Sequence, residues 1–310
     1  MRIAFFGTPE YAVPSLLALL GEGFEVAVAV TQPDRPHGRS HSELIPPPIK
    51  VTATEEGLPV LQPERPNTPE FLEALRSYAP DLGVVAAYGH ILKPALLALP
   101  RLGMVNVHGS LLPKLRGAAP VQHAILQGLG ETGVSIMRMD EGLDTGPVLL
   151  RVPTPIAPDE TSGELLTRLA EVGALALVEA LALIAFGAAT PEPQDHALAT
   201  YAPKITRELA RLRWTKTTDD LARLVRAMDP RPGAWCTLGG REIKLFGPQP
   251  ADPPPAGTPP GRVLQTEPAL VVASGNGALQ FLDVQPAGRT RMAARAWVRG
   301  RGVAEGDQLE

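Results

Sequence analysis

The chain has 310 residues, of which 44% are hydrophobic and 20% are charged, and its formal net charge is −4. This is the composition of an ordinary globular protein, and it excludes a fibrous or intrinsically disordered chain. At roughly 100 to 200 residues per domain, the length predicts two domains.

The sequence carries no clear signal for export, membrane insertion or metal binding. The apolar segment at residues 3–6 is too short for a secretory signal. The longest apolar stretch, residues 174–186, contains Glu179 and falls short of the roughly 18 residues that a membrane span needs. Cys236 is the single cysteine, so it has no disulfide partner, and no Cys/His cluster surrounds it. We expect a cytoplasmic protein without a metal, in which Cys236 is buried apolar filler.

Short apolar runs alternate with helical stretches in the first half of the chain, which predicts βαβ units. The runs at residues 82–87 and 104–108 are almost unbroken in apolar residues, as expected of strands covered on both faces. Residues 1–186 are therefore expected to form an open, mostly parallel α/β sheet of about seven strands. Its predicted strands lie at residues 2–6, 25–30, 82–87, 104–108, 134–139 and 147–153, and helices at 13–20 and 163–186.

The pattern changes after residue 186. Residues 187–203 begin with a stretch rich in Gly, Ala and Pro and are interpreted as an interdomain linker. Beyond it, residues 218–228 are predicted to be helical. Residues 248–260 hold seven prolines and are interpreted as an exposed loop. Short apolar runs separated by Pro- and Gly-rich turns predict a small β-barrel in residues 204–310, with strands at 242–246, 262–265, 269–273 and 278–284.

Asn106 and His108 end a predicted strand, and the two-residue period of a strand puts their side chains on one face. Ligands of open α/β sheets bind beyond the carboxyl ends of the strands, where this pair would lie. The acidic loop 140–146 could bring Asp144 to His108. Asn106 and His108 could then stabilise an oxyanion, while Asp144 favours the imidazolium and helps to remove a proton from an attacking amine. The trio indicates acyl transfer to an amine without a covalent enzyme intermediate; a structural His108 and a solvated turn at Asp144 are the alternatives.

Other kinds of site fit the sequence poorly. Ser110 does not lie in a Gly-x-Ser-x-Gly elbow, and the chain contains neither a His-Glu-x-x-His metal pair nor a Gly-x-x-x-x-Gly-Lys phosphate loop. The segment Gly7-Thr8-Pro9 follows the first predicted strand but lacks the spaced glycines of a dinucleotide site. These absences disfavour hydride transfer and phosphoryl transfer.

Charge is distributed unevenly along the chain. Residues 1–199 carry 13 Lys and Arg against 22 Asp and Glu, whereas residues 200–310 carry 16 against 11. A positive field attracts phosphates, so the basic second part is a candidate for binding a polyanion; chance asymmetry on solvated faces is the alternative.

A long motif runs through the candidate site, with NVHGSLLP at residues 106–113 and RGAAP at residues 116–120. Together with stretches at 6–9, 31–36, 142–146, 201–206, 229–235 and 285–288, it resembles the methionyl-tRNA formyltransferase family over nearly the whole chain. Other enzymes that use 10-formyltetrahydrofolate share only part of this pattern. The resemblance implies a Rossmann-like formyltransferase domain followed by an OB-like barrel.

The resemblance also implies an activity and a set of residues. Asn106, His108 and Asp144 would be catalytic, and the folate site would be lined by Ser110, Leu111, Leu112 and Pro113. The formyl group of 10-formyltetrahydrofolate would pass directly, through a tetrahedral intermediate, to the α-amino group of methionine on initiator tRNA. The product would be formylmethionyl-tRNA for translation initiation. A monomer is expected from the resemblance alone.

The resemblance also implies a third set of residues, which would bind tRNA. Loop 34–50 corresponds to the family's insertion toward the acceptor stem, with Arg39 as its arginine. Relatives commonly have two lysines after that arginine, but this chain has Ser40-His41-Ser42-Glu43 and then Pro46 to Pro48. Arg291, Arg295 and Arg299 recur every four residues and would form one stripe if helical. Lys204 and Arg207 in and after the linker complete the expected tRNA contacts.

Two alternatives remain at the level of the sequence. One is another formyl-folate enzyme, a sugar-nucleotide formyltransferase or a formyltetrahydrofolate hydrolase, which would share Asn106, His108 and Asp144. The other is an RNA-binding module whose α/β domain has no activity, against which the presence of all three polar residues argues.

Overall fold

The structure is a computed structural model that describes residues 1–37 and 43–310. Arg39, predicted to bind tRNA, lies outside the described residues. The chain divides into two compact units. The first consists of Met1–Pro120, Glu131–Pro155 and Leu166–Pro203, and the second of Val121–Gly130, Ile156–Leu165 and Lys204–Glu310.

The first unit is built around one central sheet. In chain order its strands are β1 (Arg2–Gly7), β2 (Glu25–Val30), β3 (Arg35–His37), β4 (Glu43–Ile45), β5 (Val60–Leu61), β6 (Leu82–Ala86), β7 (Met104–His108), β8 (Glu131–Arg138) and β9 (Val148–Pro155). Seven of them form a sheet in the order β5-β2-β1-β6-β7-β8-β9, and β3 pairs with β4 in a separate hairpin. The predicted seven-stranded sheet is confirmed.

The sheet is parallel from β5 to β7 and antiparallel at β8 and β9. All residues of β6 are buried, as are all residues of β7 except the partly buried Asn106. Strands covered on both faces exclude water from their ladders, so β7 presents a rigid carboxyl end. That end carries the first candidate site residues.

The helices that begin within residues 1–186 are α1 (Val13–Gly21), α2 (Pro48–Glu55), α3 (Pro69–Arg76), α4 (Pro94–Leu97), α5 (Pro120–Leu126) and α6 (Ser162–Ala185). Helices α1 to α4 each have a proline in the first turn, where its missing N–H group costs no helical hydrogen bond. Thr68 caps α3 by accepting a hydrogen bond from the Phe71 N–H. None of the described helices is long and apolar enough to cross a lipid bilayer.

The second unit contains an antiparallel sheet with one helix on either side of it in sequence. The elements are α7 (Thr218–Met228), β10 (Ala234–Leu238), β11 (Arg241–Ala251), β12 (Val263–Gln265), β13 (Leu270–Ala273), β14 (Ala278–Pro286), β15 (Met292–Ala293) and α8 (Ala294–Arg299). The sheet order is β10-β11-β14-β13-β12, and β15 pairs with β14.

The C-terminal residues join the two edges of this sheet. Leu309 forms a β-bridge with Leu238 on β10, and Gln308 forms one with Arg262 beside β12. Joining the edges satisfies backbone groups that an open sheet would leave unpaired. The predicted small barrel-like second domain is thereby confirmed.

The prediction that residues 248–260 form a loop is wrong for its first part. Strand β11 continues to Ala251, and Pro248 and Pro250 pair there with Phe281 and Leu279 of β14. The neighbouring strand β10 pairs with β11 only as far as Leu245. The two prolines therefore lie where β11 is an edge strand, and an edge has no ladder bond that a missing N–H would break.

Residues 187–203 belong to the first unit, where they make specific backbone contacts. Glu192 exchanges two backbone hydrogen bonds of 2.8 Å with Val148. Tyr201 forms a parallel bridge with Arg116. The division into residues 1–186, a linker 187–203 and residues 204–310 stays a prediction.

Candidate active site

Asn106 and His108 project from the same face of β7, as the period of a strand requires. The intervening Val107 is buried. The His108 side chain is 6% exposed, whereas Asn106 is half-buried. The Asn106 amide makes no hydrogen bond to any other residue within the described ranges. Its N–H groups are therefore available to a ligand oxygen at the carboxyl end of the sheet.

The orientation of the His108 ring is fixed by a backbone carbonyl. Nε2 of His108 lies 3.1 Å from the carbonyl oxygen of Leu115. A carbonyl oxygen can only accept, so Nε2 must carry the hydrogen. Leu115 has a positive φ of 58°, and its N–H donates to Oγ1 of Thr200 at 2.9 Å. The other ring nitrogen, Nδ1, remains for the reacting group.

Asp144 lies beside that second nitrogen. Oδ2 of Asp144 is 3.7 Å from Nδ1 of His108, and the carboxylate is 15% exposed. The same oxygen accepts a hydrogen bond of 2.8 Å from the Gly117 N–H. The structure thus brings together the strand residue and the loop residue that the sequence placed 36 positions apart. The carboxylate therefore faces the ring nitrogen of His108 that has no backbone partner among the described residues.

Gly117 is the residue that allows this carboxylate contact. Its φ is +117°, and a Cβ atom there would lie 2.8 Å from the carbonyl oxygen of Ala202. Any larger residue would push the segment away from residue 202 and withdraw the N–H from Asp144. Glycine alone accepts both the backbone angle and the close approach.

The loop that carries Asp144 is held in a defined turn. Oδ1 of Asp140 accepts hydrogen bonds from the Gly142 N–H at 3.0 Å and from Oγ1 of Thr145 at 2.6 Å. Asp144 has a φ of +54°, in the left-handed region. Aspartate tolerates that region better than most residues, but the conformation still needs outside support.

The segment predicted to line the folate site forms a compact turn after β7. Ser110 and Leu112 are each about 1% exposed. Ser110 donates from Oγ to the Lys114 carbonyl at 2.6 Å. The Ser135 hydroxyl accepts from the Leu112 N–H and donates to the Ser110 carbonyl. Leu111 and Pro113 are half-buried and are the members of the turn with surface left for a ligand.

Arg116 and Gln194 connect the parts of this site, and neither was predicted to have a role in it. Arg116 is 2% exposed and donates from Nε and Nη2 to Oε1 of Gln194 at 3.2 and 2.7 Å. Gln194 donates to the carbonyl oxygens of Asp144 and Gly146. Arg116 belongs to the motif at 116–120, which is part of the family resemblance and could have pointed to it. Gln194 lies in the predicted linker and gave no signal.

The basic side chains predicted to bind tRNA differ in whether a carboxylate of the protein pairs with them. Arg207 pairs with Glu242 and lies over the Trp235 ring. Lys204 is exposed. Arg295 and Arg299 lie on α8 and line a surface depression together with Glu267.

Arg291 does not belong to the predicted helical stripe. It precedes β15 and α8 in the chain. Its guanidinium contacts Asp229 at 2.8 Å and Asp283 at 2.9 Å. It also lies over the Phe246 ring. The four-residue spacing is therefore realised on a helix only for Arg295 and Arg299, because the backbone at Arg291 is not helical.

Comparisons with known proteins agree along the chain. Residues 1–181 match the family model of formyl transferase, and residues 204–302 match that of the formyl transferase C-terminal domain. A methionyl-tRNA formyltransferase from Desulfotalea psychrophila is 48% identical over 301 residues, which is 97% of this chain and 93% of the relative. One from Myxococcus xanthus is 49% identical over 308 residues, covering 99% and 97%.

A solved structure shares the fold at lower identity. A variant of HypX from Aquifex aeolicus aligns with a TM-score of 0.70 at 21% identity, over 98% of this chain and 48% of that chain. This chain spans about half the length of that protein. Because the family models match both halves and the relatives are similar over nearly their full length, the chain belongs to the methionyl-tRNA formyltransferase family of formyl transferases.

Proposed function

We propose that this protein transfers the formyl group of 10-formyltetrahydrofolate to the α-amino group of methionine on initiator tRNA, giving formylmethionyl-tRNA for translation initiation. The observation that carries the proposal is the similarity to methionyl-tRNA formyltransferases along both halves of the chain. Because charged tRNA is used in the cytoplasm, we propose that location, and a monomer as the acting form.

The proposed chemistry follows from the carboxyl end of β7. When an amine attacks a formyl carbon, negative charge develops on the formyl oxygen. The unengaged amide of Asn106 and Nδ1–H of a protonated His108 would donate to that oxygen. Because Nε2–H is held by the Leu115 carbonyl, the ring would not need to reorient during the reaction. Stabilisation of this kind costs little reorganisation and is a large part of catalysis in acyl transfer.

Asp144 would have two roles in this scheme. At 3.7 Å from Nδ1, its negative charge would attract the positive charge that the His108 ring carries while it donates to the formyl oxygen. It would also accept the proton that the amine loses on attack, directly or through one water molecule. When the tetrahedral intermediate collapses, the bond from its carbon to the folate nitrogen breaks, that nitrogen takes up a proton, and tetrahydrofolate leaves. The hydrogen bond from the Gly117 N–H would hold the carboxylate between His108 and the attacking amine.

We propose the turn 110–113 as part of the folate site. Its half-buried members, Leu111 and Pro113, offer apolar surface to the flat ring system of a folate. Ser110 and Leu112 would act by holding the turn, since their polar groups are already paired with Lys114 and Ser135. Binding at this position is consistent with the crevice beyond the strand ends that open sheets provide.

The tRNA would be held by positive charge, mostly in the second part of the chain. We propose residues 1–186 as the catalytic domain, 187–203 as the linker and 204–310 as the tRNA-binding domain. The basic side chains proposed to contact phosphates are Arg39, Lys204, Arg207, Arg295 and Arg299. Arg291, expected from the sequence to join them, is instead held by Asp229 and Asp283.

The test is a comparison of acceptors with one donor. The purified protein is supplied with 10-formyltetrahydrofolate and with charged initiator tRNA, an amino-sugar nucleotide, or water alone. We expect kcat/KM for the charged tRNA to exceed that for the amino sugar by about a hundredfold or more. Formyl transfer to the amino sugar alone, or release of free formate alone, would replace the proposal with one of the two alternative formyl-folate activities.

A further inference from the structure

Gln194 lies in the segment that the sequence marks as a linker, yet its side chain is buried. The residue is 6% exposed, and its amide uses all of its hydrogen-bonding capacity. Oε1 accepts twice from Arg116, at 3.2 and 2.7 Å. Nε2 donates to the carbonyl oxygens of Asp144 at 3.0 Å and Gly146 at 2.6 Å. A side-chain amide with two donors and two acceptor positions filled has one orientation only.

The arginine on the other side of this amide is equally constrained. Arg116 is 2% exposed, and its Nη2 atom also lies 3.2 Å from Nδ1 of His196. Its backbone is tied to Thr200 and Ala202 by hydrogen bonds of 2.8 and 2.7 Å. The position of the guanidinium is therefore fixed, and its two hydrogen bonds fix the Gln194 amide. The amide in turn holds the loop of Asp144 by donating to its carbonyl oxygens.

The two carbonyls that Gln194 holds flank the functional end of the loop. Asp144 has a φ of +54°, which most residues with a side chain avoid. Gly146 is packed so closely that a Cβ there would lie 2.0 Å from the Arg138 carbonyl oxygen. Without donors on these carbonyls, the left-handed turn loses the bonds that fix its carbonyls, and the carboxylate of Asp144 can rotate away from His108.

We propose that Gln194 is a positioning residue for catalysis: it holds the backbone of Asp144 so that the carboxylate stays beside Nδ1 of His108. This rests on the proposed function, which assigns a catalytic role to Asp144. Gln194 contacts no reacting atom in this scheme. Its effect reaches the reaction only through the position of the Asp144 carboxylate.

The substitution Gln194→Glu removes the hydrogen-bond donors of this side chain and keeps its acceptor. A carboxylate keeps the acceptor that Arg116 needs, but it cannot donate to the carbonyls of Asp144 and Gly146. Glu192→Gln is the matched control, because it breaks the neighbouring ion pair with Arg151 and leaves the Asp144 loop untouched. The two variants and Asp144→Asn are assayed for transfer to charged initiator tRNA.

We expect Gln194→Glu to lower kcat by about tenfold to a hundredfold, by analogy with the loss found when a residue that orients a metal ligand is removed. KM for donor and for tRNA should change by less than about threefold, and Glu192→Gln should match the wild type. In the Asp144→Asn background, Gln194→Glu should cause no further loss, since both act through one carboxylate.

The outcomes are distinguishable. A wild-type kcat in Gln194→Glu beside an impaired Asp144→Asn overturns the inference, as does a full multiplicative loss in the double variant. A harmless Asp144→Asn overturns the proposed catalytic role and the inference together. If Gln194→Glu does not fold, Arg116→Lys takes its place, because it keeps the buried charge and removes the fork that orients Gln194. The same kcat loss and the same lack of additivity are then expected, and a normal kcat overturns the inference.

Discussion

The Nδ1 atom of His108 and the Oδ2 atom of Asp144 lie 3.7 Å apart, although the first residue ends a buried strand and the second occupies a loop. Each is held independently of the other, His108 by the Leu115 carbonyl and Asp144 by the Gly117 N–H. The pair is therefore preorganised by the fold, as a site that stabilises charge during a reaction requires.

The charge of Asp144 is the first property to test. Asp144→Asn retains an oxygen that can accept from Gly117 but removes the negative charge beside His108. We expect kcat to fall by about a hundredfold or more, with Kd for tRNA unchanged. The measurement is the rate of formyl transfer to charged initiator tRNA. Glu141→Gln in the same loop is the control, because Glu141 is exposed; equal losses in both variants would reject a specific role for Asp144.

The hydrogen on Nε2 of His108 gives a second prediction. Because Leu115 offers only a carbonyl oxygen at 3.1 Å, the neutral form of the ring must be the Nε2–H tautomer. Long-range proton–nitrogen correlation spectra of protein with labelled histidine should show a protonated Nε2 and an unprotonated Nδ1 in that form. Observation of the opposite tautomer would mean that Leu115 does not orient the ring.

The arginines of the second unit should separate by role. Arg295→Gln combined with Arg299→Gln should weaken tRNA binding and reduce the slope of log Kd against log salt by about one to two, because phosphate contacts are lost. The melting temperature should stay unchanged, since both side chains are exposed on α8. An unaltered salt slope would show that α8 does not contact phosphates.

Arg291→Gln should instead destabilise the second unit. The substitution removes a partner of the Asp229 carboxylate, which is 8% exposed, and leaves that buried charge under-satisfied. We expect the free energy of unfolding to fall by about 1–3 kcal/mol. Urea denaturation measures this quantity. A normal stability together with a flatter salt slope would place Arg291 with the phosphate contacts.

Cys236 gives a pH dependence. Burial raises the pKa of its thiol to about 12, against about 8.5 in an unfolded chain. The folded protein keeps the proton where the unfolded chain loses it, so the stability from this group is complete below about pH 8.5 and declines toward about pH 12. Between about pH 9 and pH 11, the free energy of unfolding of the wild type should fall by up to about 1.4 kcal/mol per pH unit more than that of Cys236→Ala. The measurement is denaturation of both proteins at several pH values under reducing conditions. The same pH dependence of the free energy of unfolding in both would contradict this.

Elements with a strong apolar period were predictable from the sequence. The strand at 104–108 and the helix at 218–228 occur at the predicted residues. Strand β8 begins at Glu131, three residues before the prediction, because Glu131 and Thr132 pair with β9 without adding an apolar signal. Strand β5 has only two residues, too few for any period to be visible.

The proposed site was predictable only where its contacts are made by side chains of distinctive chemistry. Asn106 and His108 follow from the period of one strand, and Asp144 from its acidic loop and the family resemblance. Leu115 acts through its carbonyl oxygen, which every residue type has. Gln194 reaches Asp144 across 50 positions of the chain, and a single glutamine in a Pro- and Gly-rich segment gives no periodic pattern. Both contacts depend on tertiary structure.

Asn106 and His108 are proposed to stabilise the same developing charge. Single-turnover formyl transfer by Asn106→Ala, His108→Ala and the double variant measures whether they do. Each single variant should slow the transfer step by about a hundredfold or more while tRNA and donor still bind. The double variant should be little slower than the worse single one, because residues that act as a unit are not additive. Transfer at the wild-type rate in either single variant would show that the replaced side chain does not stabilise this charge.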